Sequence, residues 1–251
     1  MPLVGTRDVT PLLAGTALMP DFETEQWELK GVQVLQVLYE LRQESMLTLL
    51  PPALHPTIPP TLFFTVTIVP DSSVGPFTLA EVRVGCRAAA RPRAFLARAY
   101  CDSEAASNEL RARWGYPISV ADVQFRRNYD RVTGIVKVDG ATVLDVGLSN
   151  PEPISGGDVQ YLPSMNLARA NRDGQEIVRL VQVDPDWVFH KADRGKPVLT
   201  AFDAGAWLVD GADPWYPVSA SAVTVDMVMP RIRYLMDPAK PPMQGIETIR
   251  R

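Results

Sequence analysis

Lysine is scarce in this chain of 251 residues: of its 25 basic residues only Lys30, Lys137, Lys191, Lys196 and Lys240 are lysines. Cysteine and histidine are scarcer, with two of each (Cys86, Cys101; His55, His190) standing too far apart for a metal-ligand spacing or a thiol redox motif. A metal or other cofactor is therefore not expected. No run of roughly eighteen apolar residues occurs, so no membrane-spanning helix is expected. Met1 to Asp8 lacks the charged start and apolar stretch of a signal peptide. The net charge of -4 provides no basic field for nucleic acid or an anionic membrane surface. These absences read together as a cytoplasmic protein with neither nucleic-acid nor membrane partners. The familiar catalytic signatures are missing as well: no G-x-S-x-G elbow, P-loop, dinucleotide fingerprint or H-E-x-x-H.

What the chain does contain is punctuation: 23 prolines and 16 glycines leave little room for long helices. Between them the apolar residues recur mostly with period two, which predicts strands. Residues 32–41 put Val32, Val34, Gln36, Leu38 and Glu40 on one face and Gln33, Leu35, Val37, Tyr39 and Leu41 on the other, so a strand buried on both sides is expected. Further strands are predicted at 61–69, 77–86, 94–100, 120–127, 131–138, 141–148, 177–183 and 222–229. Asp139-Gly140 is the strongest hairpin signal, because both residues tolerate positive φ. One helix is predicted from a cap at Asp102 or Ser103 to Gly115, and a shorter one from Arg42 to Leu50, halted by Pro51-Pro52. Residues 1–25 and 238–251 read as extended arms of a single domain spanning 1–251.

The order of short motifs carries a resemblance. Leu50-Pro51-Pro52-Ala53-Leu54-His55-Pro56 follows the first strand and the short helix. Gly75-Pro76-Phe77-Thr78, the capped helix and Trp114-Gly115-Tyr116-Pro117 come next. Leu162-Pro163-Ser164, Arg179-Leu180-Val181 and Asp213-Pro214-Trp215-Tyr216-Pro217-Val218 continue the series. This series resembles the acetoacetate decarboxylase superfamily over about 200 residues. The resemblance implies a strand-rich α+β fold, a cone-shaped β-barrel with a few flanking helices, a substrate cavity in the barrel and a homo-oligomer. It also implies a lysine after the Gly-aromatic-Pro turn that forms a Schiff base with a ketone, its amine activated by a neighbouring cation. Here Ile118 and Ser119 occupy the two lysine positions, and Leu79 falls where the family has its catalytic glutamate. Glu40 falls where the family's carboxylate-binding arginine stands, with Arg42 two residues away on the same strand parity.

With the lysine replaced, the resemblance implies an apolar chamber of Leu38, Tyr100 and Tyr116, which match the family's cavity wall, together with Leu79 and Ile118. Residues that share strand parity with the family's catalytic positions face it too, as Glu81 and Arg83 do with Leu79. Its polar members are therefore expected to be Glu40, Glu81 and either Arg83 or Gln124. Such a lining suits a ligand larger and less charged than acetoacetate. A glutamate buried in an apolar wall has a raised pKa and works as an acid or base near neutral pH. The expected activity is acid-base chemistry on an apolar carbonyl compound: cyclisation, isomerisation, hydration or dehydration. Glu40 or Glu81 would move the proton, and Tyr116 would orient the carbonyl. Two alternatives stand beside it: a small-molecule-binding protein that has lost the chemistry, and a decarboxylase using Lys30 or Lys137 as a relocated lysine.

Overall fold

The computed structural model describes residues 3–16, 18–172 and 174–249. The N-terminal arm holds α1 (Thr10–Leu13) and β1 (Leu18–Met19). Then come β2 (Trp27–Leu41), β3 (His55–Pro56), β4 (Thr61–Val69), β5 (Phe77–Ala88) and β6 (Arg91–Cys101). Helix α2 (Glu104–Trp114) leads to β7 (Ile118–Val120), β8 (Asp122–Arg127), β9 (Arg131–Val138) and β10 (Ala141–Pro153). The C-terminal half adds β11 (Ser164–Arg172), β12 (Gln175–Val183), β13 (Asp186–Phe202), β14 (Pro214–Met229), β15 (Tyr234–Met236) and β16 (Ile246–Thr248).

The fold is thus a strand-rich α+β domain, as the period-two pattern predicts. Its sheet runs in the order β16-β15-β12-β11-β6-β5-β4-β2-β14-β13-β10-β9-β8, with mostly antiparallel neighbours. The two ends do not hydrogen-bond to each other. The far end curls back so that β8 lies over β4, β5 and β6 and β9 over β2 and β4, giving a cone-like barrel. Gly134 on β9 marks the closest approach, since a Cβ there would meet Val66 Cγ2 at 2.4 Å.

The central strands are buried on both faces. Leu35, Val37, Phe64, Val66, Ala80 and Val82 point into one core, closed by Trp207. Val32, Val34, Val69, Phe77 and Leu79 point into a second, covered by α2 and by β11–β14. Alternation along β5 divides its residues strictly: odd positions face the second core, even positions the first.

Asp139 and Gly140 both have positive φ (50° and 83°) and join β9 to β10, as their turn chemistry demands. The capped helix is also where the sequence puts it: the Ser103 side chain accepts from Ala106 N, and Gly115 sits in the left-handed region. The helix expected over 42–50 is not formed. A single 3-10 turn spans Gln43–Ser45. Pro51 and Pro52 have no N–H to continue a helix, and the N-terminal arm takes the freed carbonyls instead: Thr6 N donates to Leu47 O (2.8 Å) and Arg7 N to Leu50 O (2.9 Å). That arm is therefore not simply extended, and the tail contributes β16. Strands β11 and β13 carry no clean alternation and were not expected; nor was the start of β14 at Pro214. Among the described residues no helix is long and apolar enough to cross a membrane, and no three His, Cys, Asp or Glu side chains cluster as a metal site.

Candidate active site

A cavity opens in the second core. Its floor is the odd face of β4 and β5: Thr65, Thr67, Leu79, Glu81 and Arg83. The register places Ser221, Gln36, Thr65 and Glu81 side by side across β14, β2, β4 and β5, a polar row in an otherwise apolar surface. The next row, Val34, Thr67 and Leu79, is mostly apolar and also borders the cavity. Leu110, Val183, Met227 and Met229 close the sides.

Tyr116 reaches the cavity because of how α2 ends. Gly115 N donates to Arg111 O (3.1 Å), the bond of an αL cap, and Tyr116 N reaches back to Leu110 O (3.3 Å). Glycine is required there twice over: φ is 62°, and a Cβ would meet the Ala168 Cβ at 2.3 Å. The residue after such a cap packs back against the helix, which turns the Tyr116 ring inward.

The roof is the loop around 160–163, which sequence reasoning used as a family marker without assigning it to the cavity. Two side chains from the floor tie it down: Gln36 Nε2 donates to Gln160 O (3.1 Å) and Arg83 Nη1 to Leu162 O (3.2 Å). Tyr161 stacks on Trp187 at 4.6 Å between ring centroids and lies parallel to Phe189 at 6.2 Å. Tyr161, Trp187 and the exposed Asp184 form the mouth. The cavity offers about 60 Å³ to water-sized groups, room for on the order of four to six waters at roughly 10–15 Å³ each.

Burial dominates the electrostatics. Glu81 is 7% exposed and forms no ion pair among the described residues. Loss of hydration pushes its carboxyl pKa up, and the nearby Arg83 charge only partly opposes this. Burial also pushes the Tyr116 hydroxyl well up, helped by Glu81 and opposed by Arg83, so it stays a neutral donor. The Tyr161 hydroxyl is raised for the same first reason. At the mouth, burial raises Asp184, Arg93 offsets that, and Asp186 adds to it.

Of the residues singled out from the sequence, the structure brings Leu79, Glu81, Arg83 and Tyr116 to one cavity. It sets the others elsewhere. Tyr100 pairs with Ala80 and so faces the first core, where its hydroxyl donates to Ala206 O (2.8 Å) and its ring meets Trp207 edge-on. Glu40 shares the face of Gln36 but lies four residues, about 13 Å, further along the strand; it pairs with Thr61 and Tyr216 near the sheet's end. Leu38, opposite Phe63, lies between them and does not line the cavity. Arg42 is spent on an exposed ion pair with Asp213 (2.6 Å). Ile118 pairs with Ala99 and borders a separate crevice beneath the N-terminal arm. Gln124 lies at the sheet's far edge and donates to Asp122. Among the described residues no lysine lines the cavity. Thr65 and Thr67 could have been found by extending the parity argument to 61–69; Tyr161 and Trp187 come from segments without a periodic signal.

The fold has known counterparts. The chain superimposes on a structure from work on acetoacetate decarboxylase with a TM-score of 0.74 and 18% identity, covering 90% of this chain and 97% of that one. The acetoacetate decarboxylase of Legionella pneumophila gives 0.73 at 19% identity, covering 84% and 88%. The enduracididine biosynthesis enzyme MppR, complexed with the condensation product of pyruvate and imidazole 4-carboxaldehyde, gives 0.69 at 18%, covering 86% and 91%. No curated protein matches the sequence. Residues 10–203 match the family model for acetoacetate decarboxylase, and with most of its length so matched the chain belongs to the acetoacetate decarboxylase family.

Proposed function

We propose that this protein is an acetoacetate-decarboxylase-like enzyme that works without a Schiff-base lysine, by acid-base chemistry on a small carbonyl compound. The carrying observation is the convergence of a buried carboxyl, Glu81, and a buried phenol, Tyr116, on a narrow apolar cavity that no lysine lines. Burial favours the neutral form of Glu81. The carboxyl donates its proton to the carbonyl oxygen while its other oxygen takes the proton released by the neighbouring C–H bond in enolisation, or by the water that adds to the carbonyl carbon in hydration; the reverse transfers re-form the carbonyl. Tyr116 holds the same oxygen through its hydroxyl. A carbonyl polarised in this way is the shared starting point of isomerisation, hydration and dehydration. MppR has been seen with pyruvate bound, which makes pyruvate and acetone suitable minimal probes.

The test is exchange of solvent label into each probe: deuterium at the carbon beside the carbonyl, and oxygen-18 at the carbonyl itself. Wild-type protein is expected to accelerate at least one exchange, and Glu81→Gln to lose about 10²-fold or more, the usual worth of a positioned acid. Equal rates in the two proteins, or no acceleration, overturn the reading. Borohydride added with either probe is expected to leave every lysine unmodified; a lysine adduct would restore the imine mechanism.

A further inference from the structure

Glu81 and Tyr116 are 7% and 6% exposed, so a ligand reaches them only when a wall of the chamber moves. Most of the walls are held by main-chain bonds: they are paired strands, α2 with its cap, and the two-residue turn between β12 and β13. The roof is built differently. Among the described residues, no backbone–backbone hydrogen bond joins Ser155 to Leu162 to the rest of the protein; the segment's own bonds are Asp158 N to Ser155 O (3.0 Å) and Val159 N to Gly156 O (3.2 Å). None of these residues is buried. Both ends are fixed, with Ile154 N donating to Ala192 O (3.0 Å) and Ala94 N to Pro163 O (3.0 Å). Side chains hold what lies between. Gly156 lies flush on Phe189, and the Tyr161 ring packs against Trp187 and Phe189. From the floor, Gln36 donates to Gln160 O and Arg83 to Leu162 O. These same attachments carry the three buried side-chain atoms that, among the described residues, lack a well-formed hydrogen bond: Gln36 Oε1, Arg83 Nε and the Tyr161 hydroxyl beside Ser221.

We propose that residues 155–162 are a lid that turns about Ile154 and Pro163 to admit and release the ligand, with Gly156, Phe189 and Gln36 as the positioning residues that set its closed state. The aromatic clasp favours closure. The three atoms without partners oppose it, because each is dehydrated in the closed state and regains water on opening. A segment with no buried residue and no main-chain ladder opens locally at far less cost than the sheet around it. Once shut, the lid keeps bulk water from Glu81 and Tyr116, the sequestering role that such loops have over reacting groups. The inference goes beyond the acid-base reading, since any ligand of this chamber must pass the same roof whatever chemistry follows.

The test reads entry into the chamber rather than turnover. Thr67 lines the chamber and is 6% exposed, so Thr67→Cys puts a thiol behind the lid, where the small reagent methyl methanethiosulfonate arrives only when the lid is open. Leu79→Cys, opposite it on the neighbouring strand, is a second reporter should the first fold poorly. Cys86, buried in the first core, reacts only on global unfolding and is the reference within the same molecule. Labelling at each site is followed by peptide mass analysis. The introduced thiol is expected to react about tenfold or more faster than Cys86, and about a hundredfold or more slower than in the urea-unfolded chain. Adding Gly156→Ala is expected to speed it a further tenfold or so without changing Cys86, since a Cβ there would come within 2.6 Å of the Phe189 Cβ and lift the lid. Adding Gly157→Ala is expected to change nothing, because a Cβ at that position meets nothing closer than Ser155 Oγ at 3.6 Å. Equal rates in the two alanine variants, an introduced thiol as reactive as in the unfolded chain, or one no faster than Cys86 overturns the lid. Label exchange in Glu81→Gln bears on the chemistry alone, so either reading can fail while the other stands.

Discussion

Arg83 and Thr65 are joined across adjacent strands, the guanidinium Nη2 donating to the threonine hydroxyl at 2.9 Å. Thr65 thereby aims the cation over the polar row that it shares with Glu81. Thr65→Val keeps the branched shape but leaves a buried N–H without an acceptor. The expected cost is about 1–3 kcal/mol, read as a melting temperature lower by about 2–4 °C per kcal/mol. An unchanged melting temperature would show that Arg83 is held by other means.

Gly115→Ala is expected to be more damaging than its size suggests. The left-handed conformation alone costs an alanine roughly 1–2 kcal/mol, and the new Cβ must also displace Ala168. Because the hydrogen bonds of this cap position Tyr116, label exchange should fall together with stability. A variant that loses stability but exchanges label normally would separate the helix cap from the site.

Glu81 gives the protein a pH dependence of defined sign. Its folded-state pKa lies above the ordinary carboxyl range because of burial, so the native state binds the extra proton between the two values. Stability is therefore greatest below the ordinary carboxyl range, and falls as pH rises toward the raised value, where the buried group must ionise. Urea unfolding across that window should show wild-type protein losing stability relative to Glu81→Gln. Label exchange should decline over the same rise, since the acid form is lost. A difference between the two proteins that is constant with pH would contradict this assignment.

How much of the site can be read from the sequence follows from where a period exists. The alternation of residues 77–86 is regular enough to put Leu79, Glu81 and Arg83 on one face, and the structure keeps them together. Parity does not measure position along a strand, so Glu40 shares the right face yet sits about 13 Å away. Tyr100 was assigned by resemblance, and its pairing with Ala80 turns it to the opposite core. Tyr161 lies in a loop with no pattern, and β13, interrupted by Gly195 and Pro197, hides the Trp187 that stacks on it. Contacts between distant segments leave no local trace in either.

Asp184→Asn removes the negative charge at the mouth. An anionic ligand should then associate about twofold faster at low salt, the effect of one unit charge roughly 8 Å from its path in water, and the gain should shrink as salt screens it. Stopped-flow or NMR line-shape analysis with pyruvate would detect it. A slower association in the variant would place the entry route elsewhere.

The double burial of β5 restricts how this family member can diversify. A substitution at Leu79, Glu81 or Arg83 alters what the chamber recognises and leaves the Phe64–Val82 side intact, whereas one at Ala80 or Val82 strikes the packing and cannot tune the ligand. A single inserted residue would exchange the two roles along the whole strand, driving a carboxyl and a guanidinium into hydrocarbon. New specificities are therefore open to point changes at alternate positions of β5, while changes of length are closed to it.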